Sequence, residues 1–391
     1  MMKESAIAGK IPRFRLLFKR AIFCYGGADM SKKRRRFIFY ALVLIFCIAG
    51  PLVVAYAFGL VYDFSRAGFR QTGGIFIKSP IPRLSIFLDG ALVKETGILV
   101  GSALLTDVDP GTRLVRLEKP GFASWSKTVL VEPAAVTEFR GVVLVPRPLA
   151  VATSSVAQMQ EAGATTTPAT APLLRANGDL AAGKSKQSPV LVKRVHAFAS
   201  SPAAVWFVDK NGFFARRDPA TGAVRTIGRP GFFIGKTPFR FFLGTAAVGV
   251  IDSSGGLFLF EERSGQIRAV AAGAEDMLFD EDEERVLIRK ERGIDILWLQ
   301  DNKRQPFEKA GMLETVATLN VPIREARWFY ATGEHIVYRT RNGLFLIEID
   351  GRGGRNTAEL VSGATDEIFT FSALPGAIFY RIDKTIYKIT L

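Results

Sequence analysis

Cysteine is almost absent from this chain. Its 391 residues include two, Cys24 and Cys47, and none follows residue 61. No disulfide can staple the later part of the chain, so its domains must be stable through apolar cores alone. Histidine is as scarce. His196 and His335 are the only two, and neither stands at metal-ligand spacing from another His or a Cys, so no metal site is expected. Several signatures of chemistry are missing as well. There is no Gly-x-Ser-x-Gly elbow to activate a serine, and no Asp-x-Asp-x-Asp-Gly loop to hold calcium. These absences argue against a catalytic or cofactor-dependent protein.

Negative charge is also in short supply, and its distribution matters. Lys and Arg total 52 against 37 Asp and Glu, a net charge of +15. Residues 1–36 hold eleven of those cations and only two acids, Glu4 and Asp29, for +9. The remaining 355 residues carry +6, and they contain no basic stripe interleaved with aromatics. Nucleic-acid binding is therefore not expected.

What is present begins with Lys32, Lys33, Arg34, Arg35 and Arg36, which run directly into an uncharged stretch over 37–61. As a helix those 25 residues would reach about 37 Å, more than the roughly 30 Å hydrocarbon core of a bilayer. Five cations before such a span predict a basic cytoplasmic tail over 1–36 and a single transmembrane helix over 37–61. Everything after it would lie outside the cytoplasm. The same cations are the expected contacts with anionic lipid headgroups. Gly50-Pro51 predicts a kink or the end of a first segment. Ala55-Tyr56-Ala57 matches a small-x-small cleavage pattern, so a removable signal peptide is the alternative to an uncleaved signal anchor. Met30 precedes the basic run and is an alternative start. Cys47 reads as a small apolar residue of the span.

From about residue 73 to 147 the pattern changes to period two. Ile75 and Ile77 alternate with Phe76 and Lys78. The run Leu84 to Leu88 closes on Asp89-Gly90, and Asp109-Pro110-Gly111 and Lys119-Pro120-Gly121 mark further turns. Many short strands with regular turns predict a small antiparallel β-sandwich. The order resembles the PEGA domain, a small β-sandwich of bacterial and archaeal surface proteins. Ser79-Pro80-Ile81-Pro82 looks like that family's opening. Pro110-Gly111, Val115, Leu117, Lys119, Gly121, Phe122 and Trp125 match its signature P-G … V-x-V-x-K-x-G-[YF]-x-x-W. Pro82-Arg83-Leu84-Ser85 stands where Pro-Glu-Gly-Ala would be, so the namesake turn is changed. The resemblance implies a non-catalytic fold, with Phe122 and Trp125 in the core.

Residues 148–190 are rich in Ala, Thr, Ser and Pro and predict a disordered linker. After it, over 191–391, one element recurs five times: an apolar strand, a tight turn on Asn, Asp or Gly, and a second apolar strand. The turns fall at positions 212, 256, 293, 343 and 384, a mean separation of 43 residues, which suits four-stranded propeller blades. The order resembles β-propellers of the WD-repeat and TolB-like kind, although no Trp-Asp dipeptide occurs. The expectation is an all-β exported region: a PEGA-like sandwich, then a propeller of about five blades.

Propellers bind where loops converge, which singles out the acidic run 280–284, the turn 330–334 and Leu374 to Gly376. The plainer reading of the acidic run is a solvated turn. His335 with Glu334 and Ser372 would be the only hydrolytic grouping, and His196 reads as a strand-edge residue. No catalytic, cofactor or metal-binding residue is assigned. The expected role is a membrane-anchored, extracytoplasmic binding or scaffold protein for protein, peptide or glycan partners. The alternative is an exported propeller enzyme acting on envelope glycans, which would need paired carboxylates about 5–10 Å apart.

Overall fold

The computed structural model describes residues 31–57, 59–63, 68–155, 172–183, 185 and 187–391. Most of the tail expected over 1–36, with Cys24 and Met30, lies outside the described residues. So does 156–171 of the expected linker. Among the described residues the chain is mostly β with one apolar helix, and it divides into two units, up to Ala57 and from Phe58 onward.

Helix α1 spans Lys32–Ala57 and is exposed along almost its whole length. Its N-terminus is capped by Ser31, whose carbonyl accepts from the Arg34 and Arg35 amides. The helix starts inside the basic run rather than at Phe37. It also continues through Pro51, which loses a single intrahelical bond and needs no break. It ends short of the expected Val61, because Leu60 and Val61 belong to a strand. Strand β1 (Leu60–Asp63) pairs with β2 (Gly68–Gln71) as a separate antiparallel hairpin.

The next seven strands form two sheets around one core. They are β3 (Gly73–Lys78), β4 (Ser85–Leu88), β5 (Ala91–Glu95), β6 (Ser102–Val108), β7 (Gly111–Glu118), β8 (Trp125–Val131) and β9 (Val136–Arg140). One sheet has the order β6-β3-β9 and the other β5-β4-β7-β8. The sandwich is not wholly antiparallel as expected, since β3 runs parallel to β9. Period-two alternation sends Ile75, Ile77, Ile86, Val115, Leu117 and Trp125 into the core, with Phe122 packed at its edge. The Asp89-Gly90 turn has positive φ at both residues, and Asp89 locks it by accepting from the Leu114 amide.

Part of the stretch expected as a linker is ordered. Strand β10 (Val151–Ser154) pairs with the last strand of the chain. Strands β11 (Leu173–Leu174), β12 (Leu180–Ala181) and β13 (Val190–Val192) make a small three-stranded sheet, with Leu180 and Ala181 fully buried. Polar composition misled here because backbone pairing with an existing sheet edge needs no apolar alternation.

The remaining strands build five four-stranded antiparallel sheets. The first holds β14 (Val195–Ser200), β15 (Val205–Asp209), β16 (Phe214–Arg217) and β17 (Val224–Gly228). The second holds β18 (Arg240–Leu243), β19 (Ala247–Ile251), β20 (Leu257–Glu261) and β21 (Gln266–Ala271). The third holds β22 (Ala274–Phe279), β23 (Arg285–Lys290), β24 (Gly293–Trp298) and β25 (Leu313–Thr318). The fourth holds β26 (Glu325–Phe329), β27 (His335–Arg339), β28 (Gly343–Glu348) and β29 (Thr357–Ser362). The last joins β30 (Glu367–Thr370), β31 (Ala377–Ile382) and β32 (Thr385–Thr390) to β10. Each recurring hairpin of the sequence supplies the two middle strands of a sheet; in strands such as β19, β20 and β27 these are buried on both faces and almost continuously apolar. Successive sheets pack side by side, β14 on β18, β19 on β22, β23 on β26 and β26 on β30, a propeller-like succession.

Candidate functional site

The five cations singled out in the sequence, Lys32 to Arg36, occupy the first turns of α1 and are all exposed. Cations at a helix N-terminus oppose the helix dipole, and no acid balances them in the first turn. Helix stability therefore does not account for them.

Two of the three loops expected to converge do so. The acidic turn after β22 and the turn between β26 and β27 line one cleft of about 480 Å³, together with Asp301, Asn302, Lys303 and Arg304. Leu374 to Gly376 are not part of it. Arg285 forms the cleft's floor. Its guanidinium lies 5.3 Å from the Trp298 ring and 5.1 Å from the Trp328 ring, and its Nε donates to Asp280 at 2.8 Å. Asp280 also accepts from the Glu284 and Arg285 amides, so it is a turn cap. Glu283 is structural too, because its two oxygens accept from the Thr245 and Ala246 amides of the second sheet. Glu281, Asp282 and Glu284 are the acids left to line the cleft.

Glu334 lines the same cleft, 3.8 Å from Arg285. Burial pushes its carboxyl up to about 6, which the Arg285 charge only partly offsets. Burial likewise raises the Tyr330 hydroxyl, with the Glu281 charge adding to the effect. His335 is buried and pointed elsewhere. Its Nδ1 lies 3.0 Å from the Thr332 hydroxyl, and burial with the nearby Lys127 charge drops its pKa to about 3. It is a neutral structural imidazole. Ser372 belongs to the β30–β31 connection and lines neither this cleft nor the recess around His335. The His335–Glu334–Ser372 grouping is therefore not assembled. His196 stands on β14, its ring 5.0 Å from Phe239 in an edge-to-face pair.

Beside the cleft runs an ionic seam that the sequence analysis missed. Lys127 is 2% exposed, at an inward position of β8 between Trp125 and Val129. Its ammonium meets the Glu348 carboxylate at 2.9 Å, the Asp350 carbonyl at 2.7 Å and the Asp350 carboxylate at 3.8 Å. Trp125 Nε1 donates to the other Glu348 oxygen at 3.1 Å. Arg352 grips Asp350 through Nε and Nη2, and donates to Gln305 Oε1 at 2.6 Å and to the Glu138 carbonyl at 2.5 Å. Its guanidinium also lies 4.8 Å from the Phe139 ring. Burial alone would raise the Asp350 carboxyl, but the Arg352 hydrogen bonds and the Lys127 charge hold it below its usual range. The sandwich strands β8 and β9 are thus fastened to the fourth sheet through a fully partnered charge network. The one sequence signal for it was a lysine at an inward position of an otherwise apolar alternation.

The joining segment is built the same way. Val142 and Leu144 pack into the sandwich core, while Val143 and Val145 pack against the fourth and fifth sheets. A single extended segment therefore belongs to two cores at once. The glycine at 353 allows the closest approach: its φ is +66°, and an added Cβ would lie 1.8 Å from the Thr128 carbonyl oxygen.

Comparison with known protein families and with curated proteins yields no match. Among solved structures, the chain has likeness to the β-propeller domain of Swd1 from Myceliophteria thermophila, at 12% identity and a TM-score of 0.34. That likeness covers 51% of this chain and 65% of that one. It also has likeness to the extracellular domain of the hybrid two-component system BT4673 from B. thetaiotaomicron, at 9% identity and 0.36, covering 71% and 36%. A third is PorZ, a surface component of the type-IX secretion system of Porphyromonas gingivalis, at 12% and 0.32, covering 81% and 31%. The chain spans less than two thirds of each of these proteins.

Proposed function

We propose that this chain is a non-catalytic, membrane-anchored protein that presents a β-sandwich and a propeller outside the cytoplasm to a protein or glycan partner in the cell envelope. In this reading 73–147 is a PEGA-like domain. The five four-stranded sheets are propeller blades, with β10 completing the last and the small β11–β13 sheet lying between it and the first. The observation that carries the reading is the seam. Lys127, Glu348, Asp350 and Arg352 are spent on holding two β modules as one body, which suits a protein whose task is to present a surface. The apolar helix supplies the anchor, and the basic run sets its direction.

Protease treatment of intact cells carrying an N-terminally tagged chain tests this. The tag is expected to survive on a short fragment while the β modules are digested. Protection of both ends would overturn the topology. The Glu334 carboxyl favours the rival reading of a glycan-cleaving enzyme, since it is held near 6 in an acidic cleft. Incubation of the full chain with envelope glycans separates the two. Release of fragments that Glu334→Gln abolishes would establish the enzyme. The proposal expects no release.

A further inference from the structure

The hairpin that follows α1 displays an apolar, aromatic face to solvent. Leu60, Tyr62, Phe69 and Gln71 share one face, by strand alternation and by the Tyr62–Phe69 and Leu60–Gln71 pairings. That face points away from the protein. Phe69 is 63% exposed, Tyr62 41% and Leu60 36%, and the two rings pack edge to face at 5.2 Å. The opposite face turns toward the sandwich with Arg70, whose guanidinium is paired with Asp109 of the β6–β7 turn. An ordinary surface hairpin hides its aromatics and displays its arginine. This one displays its aromatics, while the arginine, 39% exposed, is tied back to the sandwich by its ion pair.

Where the hairpin stands gives the reason. Gly59, two residues beyond the last residue of α1, is clamped to the sandwich. Its carbonyl accepts from the Thr72 amide at 2.7 Å and from the Thr72 hydroxyl at 3.0 Å, and Thr72 is 3% exposed. Its φ is +73°, and a Cβ there would come within 2.5 Å of the Thr72 carbonyl oxygen. Two residues span at most about 7 Å. Chain length alone therefore keeps Gly59 within about 7 Å of the last residue of the apolar span. Tyrosine and phenylalanine at a bilayer surface place an apolar ring in the acyl boundary and, for tyrosine, a hydroxyl at the headgroups.

Resting on the anchor reading above, we propose that the β1–β2 hairpin is an interfacial seat: its Leu60–Tyr62–Phe69 face lies in the outer headgroup region of the bilayer and fixes the β body against the membrane. The test uses the full chain in phospholipid vesicles. The four native tryptophans are all at most 5% exposed, so a Phe69→Trp variant adds one accessible indole. Lipids brominated near the top of the acyl chain are expected to quench that added emission strongly and to leave a Thr221→Trp control unchanged. Flotation of the chain with vesicles but no quenching at position 69 would overturn this inference alone, leaving the face to a protein partner. Failure to float would overturn the anchor reading and this one together.

Discussion

Lys127 shows how much a single side chain can carry here. Replacing it with methionine would leave Glu348 buried without its cation, Asp350 keeping Arg352, and breaking a buried pair in this way costs about 3–5 kcal/mol. Denaturant unfolding of Lys127→Met against the native chain would read that loss. Adding Glu348→Leu should recover only part of it, because Glu348 also accepts from Trp125 and from Asn356. His335 makes a separate prediction. Its pKa falls from 6.5 to about 3 on folding, so the unfolded chain binds the extra proton first. The neutral imidazole contributes its full stability above pH 6.5. That contribution declines as the pH drops toward 3, by about 1.4 kcal/mol per pH unit for one proton. Stability profiles of the native chain and of His335→Gln should therefore converge with falling pH across that window. Parallel profiles would show that His335 does not titrate as described. Glu334 acts in the opposite sense, since its raised carboxyl favours the native state below pH 4.5 and loses that contribution as the pH rises through about 6.

At the scale of elements, the seam depends on close approach. Gly353→Val should separate Thr128 from the fourth sheet, exposing Val143 and Val145. Amide hydrogen exchange over 142–145 and 126–129 is expected to quicken by at least tenfold, while exchange in β19 and β20 stays unchanged. The recurring hairpins were legible from sequence because a strand buried on both faces is apolar throughout, as in Val248 to Ile251. The sandwich strands were legible from alternation. Strand β10 was not, since Val151-Ala-Thr-Ser154 has no pattern and owes its place to pairing with β32. The acidic cleft was half legible. Its two turns were recognisable as turns, but nothing local reveals that Asp280 and Glu283 are consumed in capping. The Lys127–Glu348 pair spans 221 residues, and no local pattern can reveal such a partner.

For the β body as a whole, one segment serving two cores means that the sandwich and the sheets should not melt independently. Calorimetry of the full chain is expected to give one β-unfolding transition, which Gly353→Val splits into two. Two transitions in the native chain would mean the seam contributes little coupling. The charge distribution belongs to this scale as well. With +9 of the +15 confined to residues 1–36, the remainder is close to electrically balanced for its size. Its interactions are then governed by local clefts rather than by a long-range field.

The pairing of β10 with β32 sets the order in which this protein can be completed. Val151 lies opposite Ile389, so the last sheet is finished by a strand made 238 residues before its neighbour. The other four-stranded sheets of 195–391 each pair strands consecutive in sequence and can form as the chain emerges. The final one must wait until 385–390 are free, with β10 held open the whole time. Such a late clasp acts as a clock: the sheet stays one strand short until residues 385–390 have been made and can reach β10.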